Sequence, residues 1–375
     1  MKKLLSVLLA FFMVFALVGC SNNEDDNNGG TTGTEDGYKV AVVTDVGQLN
    51  DGGFNQGTYE GAVAFAEKNG LSYKYYQPAN GSDATDDDRI AAMRQAVEGG
   101  AEIVVTPGFL QAAALETVAK ENPEVKFVFV DGWALGLDNV TAISYHEEES
   151  GFFAGYAAVM DGYTKLGGTF GGAGTNAACN RFAYGYVQGM QAAAAELDTT
   201  VEATISFLYG GSFSASTELQ TQISGWYTNG TEVVFACGGS MLQSVKAAAA
   251  ETENGKIIGV DTDQSAESDR VITSAFKNLS GSVDLTLTKW FEGKWDAELA
   301  DKLSNLGVGD EATGLPTAEG SWRFENFTVD QYHEIFAKVA DGSIKIDSDC
   351  ADLSTAAAWD GLKANCPNVT LTLEY

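Results

Sequence analysis

Short apolar runs alternate with helical segments along most of this chain. The first run, VAVV at residues 40–43, is rich in β-branched side chains and ends in a loop of Gly, Asn and Asp. This composition is typical of a strand buried on both faces of a parallel sheet. After Phe54 apolar residues recur every three or four positions, the spacing of a helix that buries one face. The pattern repeats with short connections, so the sequence predicts an α/β fold with doubly wound parallel sheets.

Two such series follow one another, the first up to residue 145 and the second from residue 165 to residue 261. A chain of 375 residues is also longer than a single hydrophobic core usually supports. We therefore expect two similar Rossmann-like lobes with a cleft between them.

The N-terminus has the composition of an export signal. Lys2 and Lys3 precede an apolar stretch at residues 4–18, which is too short for a comfortable membrane span. It ends in LVGC, which resembles the lipobox of bacterial lipoproteins, where the Cys is lipidated after cleavage. The prediction is a signal peptide at residues 1–19, lipidation at Cys20 and a flexible polar tether at residues 20–37. An ordinary secretion signal is the alternative.

Charge and composition exclude several classes of partner and activity. The formal net charge of −30 argues against nucleic acid or anionic lipid as a partner. Two histidines and no CxxC pair argue against a metal site. GGAG at residues 171–174 lacks the Lys of a P-loop, and no nucleophile elbow occurs. We therefore predict a binding protein on the extracytoplasmic face of the membrane, neither an enzyme nor dependent on a cofactor.

The loop after the first strand is the candidate ligand site. It carries Asp45, Asn50, Asp51, Phe54 and Asn55, and ligands of open α/β sheets bind at the carboxyl ends of strands. An aromatic ring among several donors and acceptors suits a small, planar, polar ligand. The alternative is an ordinary turn and helix cap with a buried phenylalanine.

Four cysteines follow Cys20. Cys350 and Cys366 are spaced to close a short loop in an oxidising compartment. Cys179 and Cys237 lie in separate glycine-rich stretches, and the sequence does not pair them.

Six segments resemble, in the same order, the basic membrane protein family of substrate-binding lipoproteins, the group of the purine nucleoside receptor A. They are KVAVVTDVG at 39–47 with ND at 50–51 and FNQ at 54–56, SYHEEESGFFAGY at 144–156, RFAYGY at 181–186, YGGSF at 209–213, IGVDTDQ at 258–264 and ITSAFK at 272–277. The resemblance implies the type I periplasmic binding protein fold, with three chain crossings at a hinge. It also implies a monomer that captures nucleosides, with purines expected, for an ABC importer.

The resemblance implies a division of the chain into lobes. We expect residues 38–142 and 262–302 in lobe 1 and residues 143–261 and 303–346 in lobe 2. Residues 347–375 look like an extension beyond the family core, which a Cys350–Cys366 disulfide would staple.

The resemblance also assigns roles around the base. Phe54 and Phe213 would stack on the two faces of the base, and Asp45 and Asn55 would lie at its end, with Asn50 in the same loop. The alternative is that Phe213 is a residue of the hydrophobic core.

At the sugar, Asp261 would accept ribose hydroxyls, and Lys277 would donate to the sugar from the opposite lobe. Gly238 and Gly239 would let backbone amides approach the ligand. The alternatives are a helix cap for Asp261 and a surface lysine for Lys277. Arg181 is expected to have a structural role or to lie at the cleft rim.

The sequence departs from the family at Gln111, because family members commonly carry an acidic residue soon after the Gly-Phe of the third strand's loop. An amide there would change the preference for bases, since it both donates and accepts. A sugar or autoinducer receptor of the same fold is the runner-up function. A nucleoside hydrolase using Asp45, Asp51 or Asp261 is the distant alternative.

Overall fold

The computed structural model describes residues 39–46 and 48–375. The predicted signal peptide at 1–19, Cys20 with its predicted lipidation and the whole predicted tether at 20–37 therefore lie outside the described residues. Within the described part, no helix has the length and apolar character that crossing a bilayer requires.

Strands and helices alternate as predicted. The strands are β1 Val40–Val43, β2 Tyr73–Tyr76, β3 Ile103–Pro107, β4 Lys126–Val130, β5 Val140–Tyr145, β6 Lys165–Phe170, β7 Val201–Ser206, β8 Val233–Cys237, β9 Lys256–Asp261, β10 Val271–Lys277, β11 Leu303–Leu306, β12 Thr313–Gly314 and β13 Val369–Glu374. The α-helices are α1 Phe54–Lys68, α2 Asp86–Glu98, α3 Ala112–Glu121, α4 Glu147–Met160, α5 Ala177–Glu196, α6 Thr217–Thr228, α7 Met241–Ala250, α8 Leu279–Phe291, α9 Val329–Ala340 and α10 Asp360–Asn365.

Two sheets form the two lobes. Lobe 1 is built on a six-stranded sheet in the order β11-β5-β4-β3-β1-β2, and lobe 2 on a seven-stranded sheet in the order β12-β10-β9-β8-β6-β7-β13. Every recorded strand pair is parallel except β10–β12. Every residue of β1, β3 and β8 is buried, because helices cover both faces of a doubly wound sheet. This confirms the predicted fold class.

Close backbone contact joins the two helices at the centre of lobe 2. A Cβ on Gly189 of α5 would lie 1.9 Å from the Phe152 carbonyl oxygen of α4, and one on Gly155 would lie 2.1 Å from the Tyr186 carbonyl oxygen. The glycines therefore let α4 and α5 pack backbone to backbone. Because α4 begins directly after the first crossing between lobes, this contact fixes where lobe 2 starts.

The chain crosses between the lobes three times: after β5, after β10 and after β11. The expected segment boundaries differ from the observed sheets. β10 lies in the sheet of lobe 2, although residues 262–302 were expected in lobe 1. β11 lies in the sheet of lobe 1, although residues 303–346 were expected in lobe 2. β10 pairs with β9 after a short connection, with Ser274 opposite Gly259. Local composition does not show which sheet β10 joins.

The C-terminal residues belong to lobe 2. β13 pairs with β7 over six residues, from Val369 opposite Val201 to Glu374 opposite Ser206, and Trp359 is completely buried. The four described cysteines are free thiols, so the suggested Cys350–Cys366 disulfide is not present. Strand pairing and core burial hold this segment in place.

Candidate ligand-binding cleft

The carboxyl ends of strands from both sheets face one cavity of about 460 Å³, a size that suits a small molecule. All nine residues predicted to bind the ligand line it, namely Asp45, Asn50, Phe54, Asn55, Phe213, Gly238, Gly239, Asp261 and Lys277. Their contact with a ligand stays a prediction. The sequence analysis did not select several further lining residues, among them Phe109, Asp131, Asn176, Cys179, Phe182 and Cys237.

Asp51 organises the loop between β1 and α1. Its carboxylate accepts hydrogen bonds from the backbone N–H groups of Gly53 at 2.9 Å, Asn55 at 3.1 Å and Gln56 at 3.2 Å. These are amides at the start of α1, which have no partner within the helix. Burial raises the pKa of Asp51 to about 6 although these hydrogen bonds lower it. For Asp51, the helix-cap interpretation therefore describes the observed contacts.

Asn55 shapes the same loop from inside. Its Nδ2 donates to the carbonyl oxygens of Val46 at 3.1 Å and Gln48 at 3.4 Å. Its Oδ1 is buried and has no hydrogen-bond partner among the described residues, which leaves an acceptor for a ligand. Asn50 is exposed and lies at the rim of the cavity.

Asp45 follows β1 and is 6% exposed. Its Oδ1 accepts the Val46 N–H at 2.6 Å. A Cβ on Gly108 would lie 2.0 Å from its Oδ2, and the φ of +101° at Gly108 also favours glycine. Burial raises the pKa of Asp45 to about 7, so near neutral pH this group exists as both a donor and an acceptor.

Phe213 packs against several glycines in lobe 2. Its backbone has a φ of +57°, stabilised by its N–H donating to Gly210 at 3.1 Å and its carbonyl oxygen accepting from Ser240 at 3.0 Å. A Cβ on Gly171 would lie 2.4 Å from the ring, and one on Gly238 3.2 Å from it. Gly171 follows β6 and Gly238 follows β8, which are neighbours in the sheet, and together they make room for the ring.

Gly239 likewise lies against the backbone of Phe213, since a Cβ there would be 2.6 Å from its carbonyl oxygen. The ring of Phe213 meets Phe109 of lobe 1 edge to face, with centroids 6.2 Å apart. Phe213 is therefore half-buried at the boundary between the lobes.

Lys277, the last residue of β10, is a buried ion-pair centre. It is 2% exposed, and its Nζ lies 2.7 Å from Asp131 Oδ2, 3.3 Å from Asp261 Oδ1 and 3.6 Å from Glu147 Oε1. These carboxylates raise its pKa well above the usual range, against the effect of burial. Its Nζ also lies 4.8 Å from the ring centroid of Phe54. The surface-lysine alternative is therefore wrong.

The lobe assigned to Lys277 needs correction. It was expected to face Asp261 from the opposite lobe, but β9 and β10 are neighbours in the sheet of lobe 2. The partner from lobe 1 is Asp131, which follows β4. The sequence carried a signal for Asp131, because it ends an apolar strand just as Asp261 does.

Gln111 does not face the cavity. It is completely buried, and its Nε2 donates to the Val43 carbonyl oxygen at 2.7 Å. Arg181 has the structural contact that was expected as one possibility, with its Nε 2.5 Å from Glu147 Oε2.

Comparison with known proteins gives the family. The family model described as "Bmp: ABC transporter substrate-binding protein PnrA-like" matches residues 38–335. The chain belongs to this family. The resemblance seen in the sequence is thereby confirmed, and PnrA-like proteins are substrate-binding components of ABC transporters.

Two relatives and one solved structure illustrate the similarity. The ABC transporter nucleoside-binding protein BmpA of Lactococcus lactis is 28% identical, over 78% of this chain and 86% of that protein. The CD4+ T-cell-stimulating antigen of Listeria innocua is 26% identical, over 91% of this chain and 96% of that protein. An ABC transporter solute-binding protein from Aeropyrum pernix superposes with a TM-score of 0.70 at 22% identity, covering 88% and 97% of the two chains. That likeness shows the fold of type I periplasmic binding proteins.

Proposed function

We propose that this protein captures nucleosides, purine nucleosides foremost, in the cleft between its lobes and delivers them to an ABC importer. A lipid on Cys20 would hold it on the extracytoplasmic face of the cell membrane. The observation that carries the proposal is that phenylalanines and carboxylates from both lobes line one cavity. The name of the Lactococcus lactis relative as a nucleoside-binding protein supports the ligand class.

The base would lie between Phe54 and Phe213. Aromatic stacking on a base contributes about 1–3 kcal/mol and tolerates any base. Lys277 already lies over Phe54, so the base would use the opposite face of that ring. Asp45 and the unpartnered Oδ1 of Asn55 supply polar contacts at the edge of the base.

The sugar would lie near Asp261. Its carboxylate ends β9 at the cavity wall, where a carboxylate accepts hydrogen bonds from hydroxyl groups. In dinucleotide sites, an acidic residue likewise forms a hydrogen bond with a ribose hydroxyl.

The ligand would stabilise a closed arrangement of the lobes, and the permease would recognise this closed form. Hydrogen bonds already join the lobes, because the Gly52 carbonyl oxygen in lobe 1 accepts from Thr262 Oγ1 at 2.8 Å and from Gln264 Nε2 at 2.9 Å. A ligand that touches both lobes would stabilise this arrangement, and the permease would select it.

Calorimetric titration of the full chain in detergent, unfolded and refolded to remove any carried ligand, tests the proposal. Adenosine, guanosine and inosine are expected to bind tightly, uridine more weakly, and ribose without detectable heat. Binding of ribose or other sugars alone would replace the proposal by the sugar-receptor alternative. Chromatography of the inosine sample for free hypoxanthine separates capture from hydrolysis, since release of base would identify an enzyme.

A further inference from the structure

Two cysteines from separate parts of the chain meet at the cavity wall of lobe 2. Cys179 is the third residue of α5, and Cys237 is the last residue of β8. Both are buried free thiols, and both line the cavity. The sequence did not pair them, because only the packing of α5 on the sheet brings them together.

That packing sets the two cysteines on facing surfaces. Cys179, Phe182 and Tyr186 share one face of the helix, because side chains three and four residues apart line up. Phe235 and Cys237 share one face of the strand, because successive side chains alternate. The ring centroid of Phe235 lies 5.9 Å from that of Phe182 and 5.2 Å from that of Tyr186. Cys179 and Cys237 are therefore the next members of these facing rows, at the end nearest the cavity.

The two thiols also interact directly. Burial raises the pKa of Cys237 well above its usual range, and hydrogen bonding with the Cys179 side chain raises it further. Cys237 is 1% exposed, whereas Cys179 is 6% exposed. A small molecule that enters the cavity therefore reaches the Cys179 sulfur first, with Cys237 held as a thiol beside it.

We propose that Cys179 and Cys237 form a redox-active dithiol site, which a peroxide entering the cavity oxidises to a disulfide. Oxidation-sensitive cysteines often lie next to a resolving cysteine, and disulfides persist outside the cytoplasm, the location proposed for this protein. The site is an additional property of the cavity wall, whichever ligand the cavity takes.

The reaction has two steps. The Cys179 sulfur attacks one oxygen of hydrogen peroxide and the O–O bond breaks, so that Cys179 becomes a sulfenic acid while the other oxygen takes up the thiol proton and leaves as water. The Cys237 sulfur then attacks the sulfenic sulfur and forms the S–S bond, and the displaced hydroxyl takes up the Cys237 proton and leaves as a second water. The two thiols lose two electrons and two protons, and the peroxide is reduced to two waters.

The disulfide joins the start of α5 to the end of β8. Phe182, one turn after Cys179, lines the cavity, and so does Gly238, which directly follows Cys237. Oxidation therefore cross-links two elements of the cavity wall, and reduction releases them.

Peptide mapping of the full chain in detergent tests the proposal. The protein is reduced with dithiothreitol, freed of it, treated with a slight molar excess of hydrogen peroxide, alkylated with iodoacetamide in urea and digested without reductant. Mass spectrometry is expected to find peptides cross-linked through Cys179 and Cys237 in most of the protein. A second treatment with dithiothreitol is expected to remove the cross-link.

Single substitutions separate the roles of the two sulfurs. In Cys237→Ser the resolving thiol is absent, so Cys179 is expected to proceed to sulfinic and sulfonic acid. In Cys179→Ser, Cys237 is expected to be recovered as the alkylated thiol. The matched control carries both Cys350→Ser and Cys366→Ser, because those thiols are also buried but lie outside the lining of the cavity. It is expected to form the cross-link to the same extent as the unsubstituted protein.

Recovery of both Cys179 and Cys237 as alkylated thiols after peroxide treatment of the unsubstituted protein would overturn the proposal. Oxidation of either residue to a sulfinic acid without the cross-link would overturn it as well, because the two sulfurs would then not reach each other. A cross-link from either residue to Cys350 or Cys366 instead would have the same meaning. No nucleoside enters these measurements, so their outcome is separate from that of the proposed function.

Discussion

The two lobes line the same cavity with different kinds of side chains. Lobe 1 presents a polar loop after β1, in which Asp45 and Asp51 have pKa values raised by burial to about 7 and about 6. Lobe 2 presents the ring of Phe213, which packs against glycines. The loop of lobe 1 is held by side-chain hydrogen bonds to the backbone, whereas Phe213 of lobe 2 is held by backbone hydrogen bonds with Gly210 and Ser240.

The difference separates two tasks of recognition. Polar groups whose protonation follows pH suit the edge of a base, and a rigid apolar surface suits its face. The lobes become alike only at the bottom of the cleft, where each contributes an aspartate to Lys277. Substitutions in one lobe should therefore alter different properties from substitutions in the other.

The largest effect is expected where the lobes meet. Lys277→Met would leave Asp131, Asp261 and Glu147 buried without their cation, and we expect a loss of about 3–5 kcal/mol in the free energy of unfolding. Urea denaturation measures it. Lys289→Met is the control, because Lys289 is 31% exposed at its ion pair with Glu298, and such pairs contribute at most about 1 kcal/mol. Equal losses in the two variants would contradict the role of the buried cluster.

The packing of Phe213 against glycines in lobe 2 can be tested by adding one methyl group. Gly171→Ala would place a Cβ 2.4 Å from the ring of Phe213, and displacement of the ring is expected to weaken nucleoside binding at least about tenfold, by roughly 1.4 kcal/mol or more. Gly211→Ala is the control, since a Cβ there would meet nothing within 4 Å. Calorimetric titration compares the two variants. Equal nucleoside affinity would contradict the role of Gly171 in making room for the ring of Phe213.

Removing either ring should weaken stacking. Phe54→Ala in lobe 1 and Phe213→Ala in lobe 2 are each expected to cost about 1–3 kcal/mol of nucleoside binding, with adenosine and inosine affected alike because stacking does not read hydrogen bonds. Phe291→Ala, a half-exposed ring on α8, should leave affinity unchanged. A loss confined to one nucleoside would contradict a stacking role.

The polar loop of lobe 1 predicts a dependence of stability on pH. The pKa of Asp45 rises from 3.8 to about 7 on folding, so the native state binds the extra proton and stability falls as pH rises from about 4 to about 7. Asp45→Asn should remove about 2 kcal/mol of this decrease between pH 5 and pH 8. Thermal unfolding at the two pH values measures it. A smaller slope remains from Asp51, and an unchanged slope would mean that Asp45 does not titrate in this range.

Much of the cavity could be predicted because it lies at strand ends, which local sequence marks. Asp45 and Asp261 each follow an apolar β-branched run, and Phe54 opens an amphipathic helix. The resemblance to the family added Phe213 and Lys277. Asp131 has the same local signal as Asp261, and weighing strand ends equally would have included it.

The sequence by itself determined the alternation of strands and helices, the two-lobed fold and the nine residues that meet at the cavity. Periodicity and strand-end residues, which are local properties, carry the alternation and the loop after β1. The resemblance to the family assigned Phe213, Gly238, Gly239, Asp261 and Lys277. Only the tertiary structure decided that β10 pairs with β9, that Lys277 therefore shares a lobe with Asp261, and that Gln111 faces Val43 rather than the cavity. The physical reason is that strand order and side-chain partners depend on tertiary contacts, many of them between residues far apart in the chain, such as Asp131 and Lys277, whose positions differ by 146.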